Sequence, residues 1–362
     1  MKICIILGTR PEIIKMAPII RECQRKNLNF FILHTNQHYS ENLDKIFFKE
    51  LELLKSRYNL NVGSGTHAEE TGKMLFGIEK VLFKERPNLV LVEGDTNSVL
   101  AGALAATKLH IKVGHVEAGL RSYFREMPEE INRILTDHCS DLLFAPTEKA
   151  KEILIGEGVS EEKIFVTGNT IVDAVYQNLE LVKRKSKILG KLNLQNGKYF
   201  LVTAHRPENV DKKEILRRIL RGLGLIYKKF HLPIIYPIHP RTKKMIKKFK
   251  LRFPKGLKVI QPIGYLDFLE LEVNTKLILT DSGGIQEEAC ILRVPCVTLR
   301  DNTERPETLE IGSNILAGAN SKKILESVSK MLKKKRNWKN PFGDGKSGKR
   351  IVNIILSKIK HV

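Results

Sequence analysis

The chain has 362 residues, 42% of them hydrophobic, which suits ordinary buried cores and a pair of domains better than one. Its formal net charge is +22, yet no basic motif interleaved with aromatics accompanies that charge, so the lysine-rich stretches read as solvated helix faces and no nucleic-acid partner is expected. No apolar run approaches the ~18 residues of a membrane helix, the run Ile3 to Leu7 is too short for a signal peptide, and five scattered cysteines without a C-x-x-C read as free thiols: a cytoplasmic protein without membrane insertion is expected.

Lys2 to Leu7 is a continuous apolar run, as in a strand buried on both faces of a parallel sheet. Gly8-Thr9-Arg10 turns, and Pro11-Glu12 opens a helix with Ile13, Ile14, Ala17 and Ile20 on its apolar face. A second strand spans Asn29 to His34, and helices are expected over 41–55 and 68–86. Strands at Asn88–Val92, Lys112–His115, Asp141–Ala145 and Lys163–Val166 alternate with helices at Asn97–Leu109, Glu129–His138 and Glu148–Glu157. A helix over 170–187 and a polar stretch, Gly190 to Lys198, separate this half from the next. The pattern restarts at Tyr199–Thr203 and continues through Pro233–Tyr236, Leu257–Ile260, Leu277–Thr280 and Pro295–Thr298, with helices between. A final helix, near 347–360, follows the breaker cluster Pro341-Phe342-Gly343-Asp344-Gly345. Alternating strands and helices indicate α/β architecture with two Rossmann-like domains, 1–170 and 171–346.

In open α/β sheets, ligands bind beyond the carboxyl ends of the strands. Polar residues gather there in both halves: Gly8-Thr9-Arg10, Glu93-Gly94-Asp95-Thr96, His115-Val116-Glu117-Ala118-Gly119, Thr203-Ala204-His205-Arg206 and Asp281-Ser282-Gly283-Gly284. The last is the most informative. An apolar strand runs into a Ser-Gly-Gly turn and then a helix. Free N–H groups and partial positive charge at a helix N-terminus hold anions, and glycines let a phosphate approach the backbone. Glu288, in the first turns of that helix, is placed to accept hydrogen bonds from ribose hydroxyls. The plainer alternative is a helix capped by Gly284 with Glu287 at the third position.

Several cofactor and hydrolase fingerprints fail. No G-x-G-x-x-G follows the first strand; Gly345-Lys346-Ser347 lacks the rest of a P-loop; no H-E-x-x-H or G-x-S-x-G occurs. His115-Val116-Glu117 lacks the P-C-x-x-C that a zinc deaminase needs. Among residues able to do chemistry, Asp95 and Glu129 stand where a lone carboxylate is more usually a helix cap. Glu117, after a strand and before Ala-Gly-Leu-Arg, is harder to explain structurally. Paired carboxylates suit proton abstraction on one face of a sugar and donation on the other. Arg10, Lys15, His205, Arg206 and Arg305 are available to neutralise a diphosphate leaving group.

Together these segments resemble the non-hydrolysing UDP-N-acetylglucosamine 2-epimerases. The resemblance runs from Gly8-Thr9-Arg10-Pro11-Glu12 through Gly94-Asp95-Thr96, Gly114 to Arg121, Pro128-Glu129-Glu130, Thr167 to Thr170, His205-Arg206 and Thr280 to Glu288, ending at Thr303 to Glu307. It implies the GT-B fold, with the active site in the interdomain cleft and the last helix (347–362) rejoining the first domain. The reaction it implies interconverts UDP-GlcNAc and UDP-ManNAc through 2-acetamidoglucal, with no cofactor and no metal, in a homodimer. By residue, it makes Asp95, Glu117, Glu129 and His205 catalytic. Arg10, Lys15, Ser282, Gly283, Gly284 and Arg305 would serve the diphosphate and nucleotide sugar, Glu288 the ribose and Phe268 the uracil. The rival classes are a GT-B glycosyltransferase and a hydrolysing 2-epimerase.

The sequence departs from the bacterial pattern at defined points. Glu93 stands where a histidine usually precedes Gly-Asp-Thr, and Pro207 replaces the second arginine of His-Arg-Arg-Glu. Of the positions that hold a second, activating UDP-GlcNAc in bacterial relatives, Gln37, His38 and Arg206 persist, whereas Ser40 and Thr66 carry no charge. Substrate activation is therefore expected to be weak or rebuilt from other residues.

Overall fold

In the computed structural model, which describes residues 1–36 and 47–359, strands and helices alternate along two separate sheets. The first sheet holds β1 (Lys2–Leu7), β2 (Asn29–His34), β3 (Tyr58–Asn59), β4 (Leu89–Glu93), β5 (Lys112–Val116), β6 (Leu142–Ala145) and β7 (Ile164–Val166) in the order β3-β2-β1-β4-β5-β6-β7. Every pairing in it is parallel. Helices α1 (Arg10–Arg25), α2 (His67–Glu85), α3 (Asn97–Lys108), α4 (Pro128–Cys139) and α5 (Glu148–Gly156) connect the strands. Ile3 to Leu7 are all buried, as a strand covered on both faces requires. Their alternation divides them: Cys4 and Ile6 face Met74 and Ile78 of α2 and Val99 of α3.

The second sheet holds β8 (Phe200–Thr203), β9 (Ile234–Pro237), β10 (Leu257–Ile260), β11 (Ile278–Thr280), β12 (Cys296–Thr298) and β13 (Asn314–Leu316), again all parallel, in the order β10-β9-β8-β11-β12-β13. Its helices are α6 (Thr170–Lys185), which enters from the first unit, then α7 (Ile188–Leu192), α8 (Pro207–Val210), α9 (Lys213–Phe230), α10 (Pro240–Lys248), α11 (Tyr265–Asn274), α12 (Gly283–Ile291), α13 (Pro306–Glu310) and α14 (Ser321–Met331). Phe200 and Val202 pack toward α9 and α14, while Tyr199 and Leu201 pack toward α11 and α12. Both sheets reverse strand order beside their first strand, between β1 and β4 and between β8 and β11. Those reversals open crevices at the carboxyl ends of the strands.

The compact units are Met1–Gln177 with Phe342–Val362, and Asn178–Pro341. The division falls inside α6, not ahead of it at residue 170. The reason is α15 (Ser347–Ile359), whose first N–H groups, on Ser347 and Gly348, donate to the Asp173 carboxylate at 3.1 and 2.9 Å. That cap fastens the first turn of α6 to the first unit. Gly348 also meets α1 closely: a Cβ there would lie 3.0 Å from the Pro18 carbonyl carbon.

Three local expectations need correction. Within the expected helix 41–55, of which 47 onward is described, only 47–50 are helical. Glu52 turns left-handed at φ 56°, and Leu53 N–H donates to Phe48 O while Glu52 N–H donates to Lys49 O, a Schellman ending built without glycine. Strands β3 and β13 were not anticipated, because two or three residues show no periodicity. The cap of α12 is Ser282, not Gly284, so Glu287 falls beyond the third position and the capping-box alternative lapses.

Candidate active site

In the first unit the functional groups stand where β1, β4 and β5 end. Gly8 lies so near α3 that a Cβ would fall 1.9 Å from Ser98 Oγ, which brings the β1 turn against the start of that helix. Glu12 joins the β1 and β4 loops: its buried carboxyl accepts from Gly8 N–H at 2.6 Å, Thr9 Oγ1 at 2.9 Å and Thr96 Oγ1 at 2.7 Å. Burial pushes Glu12 up to about 7, against those three hydrogen bonds. A raised carboxyl contributes stability that is complete below its unfolded value and lost as pH climbs through the folded one. Wild-type stability relative to Glu12→Gln should thus fall by roughly 3 kcal/mol between acid and mildly alkaline pH, since each unit is worth about 1.4 kcal/mol. Denaturation midpoints of both proteins across that range check it; a pH-independent difference contradicts it.

Glu117 follows β5 in a left-handed conformation, φ 69°, costly for a residue with a Cβ and common at functional sites. Its Oε2 lies 2.5 Å from Lys15 Nζ and accepts from Asn169 Nδ2 at 3.0 Å. Lys15 Nζ is also 3.4 Å from Glu93 Oε1, at the end of β4. Lys15, expected on the diphosphate, thus joins two carboxyl groups. Asp95 does not cap α3, which begins after Thr96 without a side-chain cap. Its carboxylate pairs with Arg133, which Glu130 holds at 2.8 Å. Glu130 in turn accepts from Ser122 and Tyr123 N–H at 3.0 and 2.8 Å, tying the 121–128 loop to α4. Glu129 is half-buried at the second position of α4, whose cap is Met127. Arg10 opens α1, its guanidinium 5.8 Å from the Phe47 ring.

Beneath these groups lies a fully buried brace that sequence reasoning missed. His115 Nε2–H donates to Gly94 O at 2.8 Å, while Nδ1 lies 2.6 Å from Asp137 Oδ1. Asp137 also pairs with Arg121 at 2.7 Å and accepts from Gly119 N–H at 3.2 Å. This brace fixes the β4 and β5 ends relative to each other.

In the second unit Asp281 organises the end of β11. It is fully buried and accepts from the N–H groups of His205 and Arg206 at 2.9 and 3.0 Å and from Asn209 Nδ2 at 3.1 Å. His205 Nδ1 lies 3.2 Å from Asp281, and the His205 ring sits 5.5 Å from that of His239. Burial, and then His205, pulls His239 below its usual range. His239 was also missed, although it follows β9 as His205 follows β8. A cavity of about 250 Å³ opens here, lined by Thr203, His205, His239, Phe268, Ser282 and Ile285 among others.

Ser282 makes no side-chain cap bond, and Gly283 and Gly284 present the first turn of α12 beside that cavity. Glu288, one turn on and buried, accepts from the Tyr265 hydroxyl at 2.8 Å. Arg305 Nε donates to Glu287 Oε1 at 2.6 Å, so its guanidinium is fastened to α12. Neighbouring Glu304 is clamped by Arg300 through two 2.9 Å bonds, and Arg206 lies 3.9 Å from it. Although burial opposes this, Arg300 holds the Glu304 carboxyl down to about 2. Gln37, His38 and Ser40 lie outside the described residues. Thr66 is the N-cap of α2 in a reciprocal capping box with Glu69. Among the described residues no group of three or more His, Cys, Asp or Glu is arranged to hold a metal ion.

Residues 21–356 match the family model described as UDP-N-acetylglucosamine 2-epimerase. A relative of that name from Methanocaldococcus jannaschii is 62% identical over 361 residues, covering 98% of this chain and 99% of its own. Another from Methanococcus maripaludis is 60% identical over 366 residues, covering 99% of each. The crystal structure of Methanocaldococcus jannaschii UDP-GlcNAc 2-epimerase in complex with UDP-GlcNAc and UDP is similar at a TM-score of 0.91, over 99% of this chain and 100% of that one.

Proposed function

The chain belongs to the UDP-N-acetylglucosamine 2-epimerase family, and on that premise we propose how this isomerase works. The reaction inverts carbon 2 of UDP-GlcNAc. No carbonyl acidifies the proton on that carbon, so direct abstraction would leave an unstabilised carbanion. Breaking the bond from carbon 1 to UDP removes the difficulty. The carbon-2 proton passes to a carboxylate, its electron pair forms the double bond of 2-acetamidoglucal, and the carbon 1–oxygen pair leaves with UDP. Re-addition of UDP, with a proton delivered to the opposite face, gives UDP-ManNAc. Elimination and addition together are redox-neutral.

The observation that carries this reading is the placement of Glu117, held by Lys15 and Asn169 at a strand end in a strained backbone. In the proposal Glu117 exchanges the carbon-2 proton, with Asp95 and Glu129 as further acid/base carboxylates. In the second unit His205, oriented by Asp281, faces the diphosphate together with the first amides of α12. Arg10 adds positive charge. Phe268 flanks the uracil, and Glu288 accepts from the ribose hydroxyls. The Lys15–Glu117 and Arg305–Glu287 pairs give those two cations an indirect part: each sets a neighbouring carboxylate.

Chromatography of products from UDP-GlcNAc alone tests the reading. UDP-ManNAc should accumulate with total UDP-sugar conserved; free ManNAc with UDP would instead identify a hydrolysing enzyme, and inertness without an acceptor a glycosyltransferase. Activation is tested in reverse. Substrate activation should be weak or rebuilt from other residues, since Thr66 is engaged as a helix cap; where it is weak, pure UDP-ManNAc reacts without a lag. A long lag abolished by trace UDP-GlcNAc would show that the activator site is intact.

A homodimer and a cytoplasmic location complete the proposal. Phe76, Phe83, Tyr123, Phe124 and Leu135, exposed apolar side chains of the first unit, support the dimer; a monomeric mass by light scattering contradicts it. The five cysteines are all free, as a reducing compartment allows. Among the described residues no helix is long and apolar enough to cross a membrane.

A further inference from the structure

Glu93 is a carboxyl group in an expensive place. It ends β4 with 2% of its surface exposed, and the Lys15 ammonium stands 3.4 Å from its Oε1. The same ammonium stands 2.5 Å from Glu117 Oε2. One cation therefore lies between two carboxyls and much closer to one. We propose that Glu93 is a positioning residue of the epimerase reaction, anchoring Lys15 so that its ammonium bears on Glu117. The inference rests on the reading of Glu117 as an acid/base group.

The asymmetry of the two distances fits a neutral Glu93, with the ammonium drawn to Glu117. The groups facing Glu93 are Lys15 and Glu12 from α1, Asp95 just beyond its own strand, and Glu117 after β5. Burial pushes its carboxyl well above the usual range; Lys15 opposes this, and the charges of Glu117, Glu12 and Asp95 add to it. In the neutral form its oxygen, which is buried without a hydrogen bond and stands 3.4 Å from the ammonium, offers the ammonium a dipole without competing for its charge. The ammonium then stays 2.5 Å from Glu117, whose left-handed backbone and hydrogen bond from Asn169 set its direction. In alkaline solution Glu93 loses its proton and becomes a second anion. It then draws Lys15 away from Glu117, and the reaction slows.

Two variants test this. Glu93→Gln keeps a neutral acceptor of the same length, so kcat at neutral pH should stay within about threefold of wild type and hold at alkaline pH where wild type declines. Glu93→Met keeps the length and removes the acceptor, so kcat should drop about 10–100-fold while KM for UDP-GlcNAc stays within about twofold. UDP affinity and circular dichroism report whether each variant is folded. Wild-type kcat in Glu93→Met, a loss carried in KM, or a Glu93→Gln variant as impaired as Glu93→Met would overturn the proposal. Should Glu93→Met not fold, the Glu93→Gln pH profile decides alone: retained alkaline rate supports the role, and superposition on wild type overturns it. Glu117→Gln, run alongside, separates the two levels. Wild-type activity there removes the acid/base reading itself. An inactive Glu117→Gln beside an unaltered Glu93→Gln profile removes only the role of Glu93.

Discussion

Glu117→Gln is expected to lower turnover by about 10²–10⁴, the scale of a lost general acid or base, with the fold intact. Glutamine matches the shape of glutamate and still offers an oxygen to Lys15 and Asn169, so the hydrogen bonds at 2.5 and 3.0 Å have replacements. What disappears is the ability to take and return a proton. The backbone of this loop does not depend on the carboxylate: the N–H groups of Glu117 and Ala118 both donate to Phe144 O, at 3.1 and 3.2 Å. Circular dichroism should therefore be unchanged, and the loss should fall on kcat. Asp95→Asn should cost turnover on the same scale, but the change also weakens the pair with Arg133. Glu117→Gln is the cleaner variant. Wild-type turnover in a folded Glu117→Gln protein would remove this residue from the chemistry.

Glu288→Ala is expected to weaken UDP binding by ~2 kcal/mol, about thirtyfold, if two ribose hydroxyls donate to its carboxylate. The carboxylate is prepared for this. It is buried on α12 and oriented by the Tyr265 hydroxyl at 2.8 Å, so ordering it on binding costs little. Truncation leaves the Tyr265 hydroxyl without that acceptor, and Tyr265→Phe separates the two contributions. The Tyr265→Phe protein should bind UDP within a few-fold of wild type, because the carboxylate remains. Isothermal calorimetry with UDP is the readout. Unchanged affinity in Glu288→Ala would leave the carboxylate a purely structural role.

Much of the architecture was legible because strands buried on both faces must be apolar throughout. Ile3 to Leu7 and Leu89 to Val92 announce themselves in this way. The functional loops were legible for a related reason: polar residues directly after such strands have no place in a core. Partners were not legible. Lys15 and Arg305 were read by charge alone, and only the structure shows Glu117 and Glu287 standing against them. Nothing in one sequence says which carboxylate a lysine 102 positions away will meet. Buried organisers were missed for the same reason. Asp137 and Asp281 each gather several donors from a distant segment, and Glu12 joins its own turn to Thr96; their signal is only a polar residue inside an otherwise apolar pattern. Asp281 had the strongest signal, at the end of a strand and ahead of Ser-Gly-Gly. The unit boundary inside α6 left no trace, because a helix that changes neighbours halfway keeps its period.

In the proposed reaction carbon 2 exchanges its proton with a carboxylate whose proton re-equilibrates with solvent while UDP departs and returns. Incubating the pure protein with UDP-GlcNAc in heavy water tests it most directly, with carbon 2 followed by NMR. The expected product is UDP-ManNAc carrying one deuterium at carbon 2, formed without release of free sugar. UDP-ManNAc that retains its original hydrogen at carbon 2, or UDP-GlcNAc left unchanged by the folded protein, would contradict it.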